Sequence, residues 1–260
     1  NSNHPEINRA DINLTQLRSN LDNIRKKLKP NTKFMAVVKG DAYGHGLVPI
    51  SKELEKYKCD AVGVVRLTEA LALRNGDIKI PIVMLAPIMP EQVKWLVKND
   101  ITAMVDNERI VYALSKSGEE DNKKVTVHVK VNTGLNRYGV DHDEAANFID
   151  MITEKYPSIN TEGVYSHLKD AEYNHAFTLL QINRFKEVLK ELETKGLRPP
   201  RAHIAGSAGI LMYPESHFDM VRCGLILYGL EHREGENLLP EGVNPIMPLN
   251  SRIIKIENIS

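Results

Sequence analysis

The strongest constraint on the fold of this chain of 260 residues is a series of eight short apolar runs, each followed by a helix-like segment. The runs are rich in β-branched residues and lie at 34–38, 61–65, 82–85, 102–105, 125–129, 163–166, 202–205 and 225–228. Near-continuous apolar strands of this kind are buried on both faces, which is typical of parallel sheets. The alternation predicts an α/β fold, a (β/α)8 TIM-type barrel, with a doubly wound open sheet as the alternative.

The segments between the runs have helical periodicity. Between the sixth and seventh runs, apolar residues recur at three- and four-residue steps from Phe177 to Leu192, and Gly196 marks the expected helix end. Asn13 to Leu28 is a similar amphipathic segment, for which Thr15 is the expected N-terminal cap.

The end of the chain has a different character. Residues 233–245 form a connector rich in Gly, Pro and Glu, and Ile253, Ile254, Ile256 and Ile259 then follow in a strand-like pattern. We therefore expect a barrel domain over residues 1–243 and the first strand of a second, β-rich domain over residues 244–260.

Charge and composition exclude several classes of protein. Thirty-four Lys and Arg balance 34 Asp and Glu, so the chain lacks the excess positive charge typical of a nucleic-acid binder. No apolar run approaches the roughly 18 residues of a membrane helix. The N-terminus has no signal-like pattern, and because the first residue is Asn1 rather than Met we expect a piece of a longer protein.

The two cysteines, Cys59 and Cys223, are too few for a disulfide framework or a zinc site and predict buried thiols in a reducing compartment.

Lys39 is the first candidate for chemistry, because it comes directly after the first strand and precedes a Gly-rich segment, residues 40–46. In a parallel barrel, the loops after the strands build the active site. A lysine buried there is costly unless its amine is neutral, paired or used covalently, and the neutral amine is the form that attacks a carbonyl. The alternative is a lysine that reaches solvent beside a flexible turn.

Small residues near the seventh and eighth strands suggest a phosphate site. Gly206 and Ser207 open a helix, and Gly224 precedes the eighth run. In many such barrels these loops hold a phosphate through backbone amides and a hydroxyl. A phosphate site and a lysine at a separate strand end together suggest pyridoxal phosphate (PLP), which carries both an aldehyde and a phosphate.

The segment from Val38 to Gly46 resembles the PLP-attachment motif of bacterial alanine racemases. Residues 130–139, 166–167, 203–209 and 221–230 also match that family in order, so the resemblance extends over about residues 9–260. It implies a fold-type III barrel, a C-terminal β domain, PLP as cofactor, a small amino acid as substrate and a head-to-tail homodimer. The resemblance includes the serine racemases of glycopeptide-resistance systems, in which such a domain follows a membrane segment. We therefore expect a cytoplasmic protein or the cytoplasmic domain of a membrane-anchored one.

The resemblance also implies how the cofactor is held. Lys39 would form the Schiff base and exchange the substrate's α-proton on one face. Tyr43 and Ser207 would hydrogen-bond the phosphate, with backbone groups near Gly206, Gly224 and Leu225 completing the cradle.

Four further side chains acquire roles by the same resemblance. Arg222 would face the pyridine nitrogen, and because a guanidinium stays protonated it would donate a hydrogen bond without giving up a proton. His167 would orient Arg222, and Arg137 would bind the phenolic oxygen of the cofactor and the substrate carboxylate. Lys130 is expected to carry a carbamate, which turns a cation into an anion that pins Arg137.

The sequence departs from the family pattern at Asn132, Asn136 and Gly206, where Asp, Gly and Asn are usual. These changes bear on the carbamate and on substrate preference. The family takes its second base from a tyrosine in the partner subunit's C-terminal domain, and the chain reaches Ser260 before such a tyrosine. We therefore expect this chain alone to bind PLP but to interconvert enantiomers poorly.

Several alternative functions remain at this point. An alanine racemase is the leading hypothesis, and a serine racemase of the same family is the first alternative. A catalytically silent PLP carrier, a fold-type III decarboxylase and an aldolase-type barrel that uses Lys39 without a cofactor are the others.

Overall fold

The computed structural model describes residues 7–231 and 238–258. Its strands are β1 (Asn8–Ala10), β2 (Lys33–Val37), β3 (Ala61–Val64), β4 (Ile82–Met84), β5 (Ala103–Val105), β6 (Val125–Asn132), β7 (Val140–Asp141), β8 (Ile159–Tyr165), β9 (Arg201–His203), β10 (Met220–Cys223) and β11 (Leu249–Ser251). Its α-helices are α1 (Leu14–Arg25), α2 (Lys39–Gly44), α3 (Leu47–Lys56), α4 (Leu67–Asn75), α5 (Val93–Lys98), α6 (Glu108–Glu120), α7 (Ala145–Lys155), α8 (His175–Thr194) and α9 (Ser207–Met212). Short 3-10 helices lie at Pro90–Gln92, Pro214–Ser216 and Leu225–Tyr228.

Eight of these strands close into a parallel barrel, which confirms the predicted architecture. They pair in two arcs, β10-β2-β3-β4 and β5-β6-β8-β9. Backbone bonds between Thr102 and the β4 residues Ile82 and Met84 join the arcs on one side. On the other side, the Arg222 N–H donates to the Ala205 carbonyl over 3.0 Å and the Asp219 N–H to the Ala202 carbonyl over 3.1 Å. The open-sheet alternative is therefore wrong.

Alternate residues of each barrel strand face opposite sides, as the pleat of a strand requires. One set packs with the surrounding helices into the main core, as Phe34, Ala36 and Val38 do from β2 and its end. The other set fills the barrel, and its composition differs between the two arcs. Met35, Ala61, Val83 and Met220 form a separate apolar cluster inside the first arc. The interior residues of the second arc are largely polar, and they are His128, Lys130, Tyr165 and His203.

The eighth strand is not where the apolar pattern predicted it. Strand β10 is Met220–Cys223, and the apolar run at Leu225–Tyr228 is a 3-10 helix whose last three residues are buried. The pattern was misleading because Arg222 interrupts the true strand. That arginine is only 5% exposed, since it faces the barrel interior, where both of its terminal NH2 groups are hydrogen-bonded.

Asparagine side chains begin three of the helices. The Oδ1 atoms of Asn13, Asn107 and Asn174 accept backbone N–H bonds at the start of α1, α6 and α8. The prediction that Thr15 caps α1 is therefore wrong, because the helix begins two residues earlier than such a cap requires and Asn13 accepts the free N–H of Gln16. Gly196 follows α8 with a φ of +69°, the left-handed conformation expected at a helix end.

The last strand of the structure, β11, pairs with the first, β1. Strand β11 lies antiparallel to β1, with Asn8 opposite Ser251 and Ala10 opposite Leu249. The strand predicted over 253–259 is not found within its described part, 253–258, where Ile253, Ile254 and Ile256 are about 80% exposed. Ile259 and the first part of the predicted connector, up to residue 237, lie outside the described residues. The division into two domains at residue 243 stays a prediction. No helix among the described residues is long and apolar enough to cross a bilayer.

Candidate active site

A cavity of about 400 Å³ lies at the carboxyl ends of the barrel strands. Ten side chains or backbone positions singled out in the sequence line it together: Lys39, Tyr43, Lys130, Arg137, His167, Gly206, Ser207, Arg222, Gly224 and Leu225. They come from segments up to 186 residues apart, as the first and last of them show. The structure therefore gathers around one cavity the residues that the strand-end rule singled out.

The charge of this cavity is one-sided. Lys39, Lys130, Arg137 and Arg222 line it, whereas no carboxylate is among the described residues that do so. Unpaired cations that share a partly closed pocket repel each other, and the repulsion is relieved when an anion binds between them. The cavity is therefore suited to an anionic ligand.

Residues 40–43 after β2 form a left-handed turn. Their φ angles lie between +54° and +64° and their ψ angles between +36° and +47°. Each L-residue in this conformation costs roughly 1–2 kcal/mol, so the segment needs support from its surroundings. Glu69 Oε1 accepts the Gly40 N–H over 2.7 Å, and Asp41 Oδ1 accepts the Leu47 N–H over 2.7 Å. The supported turn places Tyr43 on the cavity wall.

Tyr43 meets the small residues of the opposite loop. A Cβ added to Gly224 would lie 2.7 Å from the Tyr43 hydroxyl, so only glycine leaves room for this approach. The Gly224 N–H donates to Ser207 Oγ over 3.3 Å, which brings a second hydroxyl to the same place. Burial raises the pKa of Tyr43 to about 12, so its hydroxyl keeps its proton at neutral pH. Two hydroxyl donors therefore stand beside the loop at Gly224.

Arg222 is held rigidly by the ends of the neighbouring strands. Its Nη1 donates to His203 Nδ1 over 2.9 Å and to the His203 carbonyl over 3.1 Å. Its Nη2 bonds the Ser166 carbonyl at 2.8 Å and His167 Nδ1 at 3.0 Å. Because a guanidinium only donates, His167 must accept at Nδ1 and carry its own proton on Nε2. Burial, followed by Arg222, keeps the pKa of His167 well below its ordinary value, so the ring is neutral.

Lys130 is buried inside the barrel, with 2% of its surface exposed. Burial, followed by Arg222 and Arg137, lowers its pKa well below the ordinary value. Its Nζ lies 4.5 Å from the ring centre of Tyr165, whose buried hydroxyl has no hydrogen-bond partner within the described residues. Gly139, at a φ of +120°, leaves room for the lysine stem, since an added Cβ would lie 3.0 Å from Lys130 Cγ. The site therefore holds a buried amine, whose neutral form is favoured by its surroundings, beside an unused hydroxyl.

Arg137 lies in the loop after β6, and its side chain makes no hydrogen bond to any described residue. It stacks on the ring of Tyr138 at 4.7 Å. Asn132, one of the departures from the family pattern, bonds Asn136 and Asp141 at 3.0 Å each and so shapes this loop. The guanidinium of Arg137 is left available to a ligand.

Lys39 differs from expectation in one respect. It lines the cavity as predicted, but its side chain is exposed rather than buried. The expectation of a buried lysine at this strand end is therefore wrong. The left-handed turn begins directly after Lys39.

Other residues of the site were missed. Three of them lie on interior positions of the barrel: Tyr165, His203 and His128. Two more lie outside the cavity, where Glu162 bonds His128 and Glu69 bonds the left-handed turn. The available signal was a polar residue inside an otherwise apolar strand, as at His128 and His203. Glu69 had no such signal, because a glutamate in the first turn of a helix is ordinary.

The cysteines take no part in the cavity. Cys59 and Cys223 are buried and free, as predicted. Burial raises the pKa of Cys59 to about 11 and that of Cys223 well above its ordinary value, so both thiols are protonated and unreactive at neutral pH.

Comparison with known proteins places this geometry in a family. Alanine racemase 2 of Clostridium acetobutylicum is 52% identical over 259 residues, which is 100% of this chain and 66% of that protein. The alanine racemase of Desulfovibrio desulfuricans is 36% identical over 251 residues, covering 96% of this chain and 67% of that protein. The chain thus spans about two thirds of the length of these relatives.

A solved structure and a family model agree with these relatives. An alanine racemase of Clostridium difficile 630, solved in complex with cycloserine, superposes with a TM-score of 0.90 at 33% identity, over 98% of this chain and 70% of that one. The model of the alanine racemase N-terminal domain matches residues 12–232. The chain belongs to the alanine racemase N-terminal domain family.

Proposed function

We propose that this chain is the PLP-binding barrel of an amino-acid racemase that interconverts L- and D-alanine. The observation that carries the proposal is the cavity itself, in which two arginines, two lysines and no described carboxylate surround a space of about 400 Å³. Both PLP and an amino-acid carboxylate are anions, and a pocket of this charge favours both. The names of the relatives support alanine as the substrate.

The residues present fit PLP at each of its polar groups. Tyr43 and Ser207 supply hydroxyl donors for the phosphate, with backbone groups at Gly206, Gly224 and Leu225 beside them. Arg222 is a fixed donor for the ring nitrogen. Burial lowers the pKa of Arg222 only to about 10, so it remains charged at neutral pH. Arg137 has the free fork of donors that suits the phenolic oxygen and a carboxylate.

When bound, PLP withdraws electrons from the substrate's Cα and makes its proton acidic. The residues of the chain then have separate tasks. In the resting protein Lys39 would hold the aldehyde carbon through its Nζ, with loss of water. Once the substrate's amine had displaced it, the freed Nζ would exchange the Cα proton on one face. Arg137 orients the carboxylate, and His167 keeps Arg222 in place through its Nδ1. The second base is the tyrosine of a partner subunit that the family resemblance implies, in a homodimer.

The test of Lys39 uses the cofactor's absorbance and a covalent trap. The chain incubated with PLP is expected to become yellow, and borohydride is expected to bleach it and fix the label on Lys39, as mapped by peptide mass spectrometry. Exchange of the alanine α-proton in D2O, followed by NMR, should be present in the wild type and lost in Lys39→Ala. A colourless protein, or label on another lysine, would overturn the proposal.

The same assay separates the alternatives. L-serine that exchanges faster than L-alanine would favour the serine racemase. A yellow protein with borohydride-trapped label on Lys39 and no exchange of either amino acid would identify a silent PLP carrier. Interconversion of enantiomers by the isolated chain at the rate of a full-length relative would contradict the expected need for a partner tyrosine.

We propose further that Lys130 carries a carbamate. A neutral amine reacts with CO2 to form an N–C bond and releases one proton, and the lowered pKa of Lys130 favours that neutral amine. The product is an anion between Arg137 and Arg222, which relieves their repulsion. Equilibration with 13C-bicarbonate should give a carbamate signal in the 13C NMR spectrum that is absent from Lys130→Ala. A spectrum without it would contradict the assignment.

A further inference from the structure

A line of hydrogen-bonded side chains leads from Arg222 away from the cavity and through the polar half of the barrel. Arg222 Nη1 bonds His203 Nδ1 at 2.9 Å, and His203 Nε2 bonds His128 Nδ1 at 2.9 Å. His128 Nε2 then bonds Glu162 Oε2 at 3.2 Å. The other carboxylate oxygen of Glu162 pairs with Arg201 Nε at 3.1 Å. We call Glu162, His128 and His203 the histidine relay.

The two ends of the relay fix every proton within it. A guanidinium only donates, so His203 accepts at Nδ1 and has its proton on Nε2. That proton is donated to His128 Nδ1, which leaves the proton of His128 on Nε2. A carboxylate only accepts, so Glu162 is the partner that this last N–H requires. No other set of neutral tautomers satisfies all three bonds.

Both rings are neutral inside this arrangement. They are 0% exposed, and burial is the largest cause that lowers the pKa of each. A proton on Nδ1 of His203 would face the N–H of Arg222 and break their bond. Gly163 makes the path possible, because a Cβ there would lie 2.6 Å from the His128 ring. The barrel is therefore built around these rings.

We propose that the histidine relay is a positioning device that holds His203 Nδ1 as an acceptor and thereby fixes the guanidinium of Arg222. Its relevance to PLP rests on the proposed function, in which Arg222 holds the ring nitrogen. The relay itself belongs to the cofactor-free chain and is testable there. Glu162, on the far side of the two rings from the cavity, thus influences a group at the cavity without touching a ligand.

The sharpest perturbation is Glu162→Gln, because the amide has only one oxygen. Arg201 and His128 both need an acceptor from residue 162, and after the change only one of them finds it. The charged guanidinium of Arg201 binds an amide oxygen more strongly than the neutral ring does, so the oxygen faces Arg201 and the NH2 group faces His128 Nε2. His128 must then carry its proton on Nδ1, His203 must do the same, and the bond to Arg222 is lost.

Arg201→Met supplies both the matched control and the rescue. On its own it removes the ion pair and leaves the carboxylate free to accept from His128, so the relay should be intact. Combined with Glu162→Gln, it frees the amide oxygen for His128 and should restore the original tautomers. A role of Glu162 in stability alone would not produce this rescue, because the double variant lacks the ion pair as well.

The experiment is 15N NMR of the imidazole and guanidinium groups in the cofactor-free chain. In the wild type and in R201M, His128 and His203 should both be neutral with the proton on Nε2. In E162Q the Nε2–H population should fall and the Arg222 resonances should shift, and in E162Q/R201M both should return. Wild-type tautomers in E162Q, or no return in the double variant, would overturn the proposal.

PLP binding provides the second measurement. E162Q should bind PLP about tenfold more weakly, as expected when a bond to a charged group is lost, and E162Q/R201M should match R201M. If no variant binds PLP, the proposed function fails while the NMR result still decides the relay.

If E162Q does not fold, Glu162→Met with Arg201→Met removes the acceptor without leaving Arg201 unpaired. That variant should lose the fixed tautomers, and wild-type tautomers in it would overturn the proposal.

Discussion

The left-handed turn at residues 40–43 shows how a single distant side chain supports a site. Glu69 accepts three backbone N–H groups: Oε1 binds Gly40, and Oε2 binds Val65 and Arg66 at 3.1 Å each. It therefore joins the turn after β2 to the loop after β3. The carboxylate is largely buried, at 9% exposure, so water cannot easily replace a lost bond.

Glu69→Gln is expected to destabilise the chain and to weaken PLP binding. The amide keeps one acceptor oxygen and introduces donors beside backbone N–H groups, so at least one of these groups is left unsatisfied. The free energy of unfolding should fall by about 2 kcal/mol in urea denaturation. Glu154→Gln on the exposed face of α7 should change it by less than about 0.5 kcal/mol. Equal effects of the two substitutions would contradict this role of Glu69.

Single residues were predicted unequally well. Lys39, Tyr43 and Arg222 were identified because a recognisable motif surrounds each of them. Neither the exposure of Lys39 nor the handedness of the turn could be anticipated, because three consecutive non-glycine residues in the left-handed region contradict their own intrinsic preference. Only contacts with residues such as Glu69 make that conformation stable.

At the level of elements, the 3-10 helix at Leu225–Tyr228 is the clearest case in which tertiary contacts override the pattern. It ends at Gly229, whose φ is +73°. The Tyr228 carbonyl accepts the Ile246 N–H over 3.2 Å, and Asn20 from α1 donates to both the Leu227 and Asn244 carbonyls. An apolar run that these partners bend into a turn has the same composition as a strand, so the sequence alone could not separate the two.

Gly229→Ala should be severely destabilising, whereas Gly196→Ala should be mild. Both glycines have positive φ angles, so both variants incur the conformational cost of about 1 kcal/mol. A Cβ at Gly229 would also collide with the Asn244 carbonyl, whereas nothing lies within 4 Å of one at Gly196. Denaturation should therefore show a loss of about 1 kcal/mol for G196A and a much larger loss, or failure to fold, for G229A. Similar stabilities would refute the close packing at Gly229.

At the level of the whole molecule, the barrel has an apolar half and a polar half. The eight alternations predicted its closure, because eight buried parallel strands have few other arrangements. They did not predict that His128, Lys130, His203 and Arg222 share its interior. The pattern of apolar residues records which strands are buried, whereas the pairing of polar groups depends on which strands become neighbours.

The polar half predicts a pH dependence of stability. Burial, aided by nearby arginines, keeps the pKa of His128, His167 and His203 below the ordinary value of 6.5 in the folded state. Below pH 6.5 the unfolded chain binds protons that the folded chain does not, so stability falls as the pH falls. Each histidine contributes up to about 1.4 kcal/mol per pH unit.

Urea denaturation at pH 7.5, 6.5 and 5.5 measures this effect. For the three rings together, the free energy of unfolding should fall by about 1 kcal/mol between pH 7.5 and 6.5 and by up to about 3 kcal/mol between pH 6.5 and 5.5. Proton uptake on unfolding at pH 5.5, followed in weak buffer, serves as an independent control. A stability that is constant from pH 7.5 to 5.5 would show that these rings bind protons in the folded barrel as readily as in the unfolded chain.

The dependence of the left-handed turn on Glu69 has a consequence for synthesis. A chain growing from its N-terminus contains Lys39 and Tyr43 long before residue 69 has been added. Until that carboxylate is present and α4 has packed, L-residues at 41–43 favour ordinary right-handed or extended backbone. Lys39 and Tyr43 therefore reach their folded positions only after residue 69 has been added, and a nascent fragment that ends before Glu69 should lack the ordered left-handed turn.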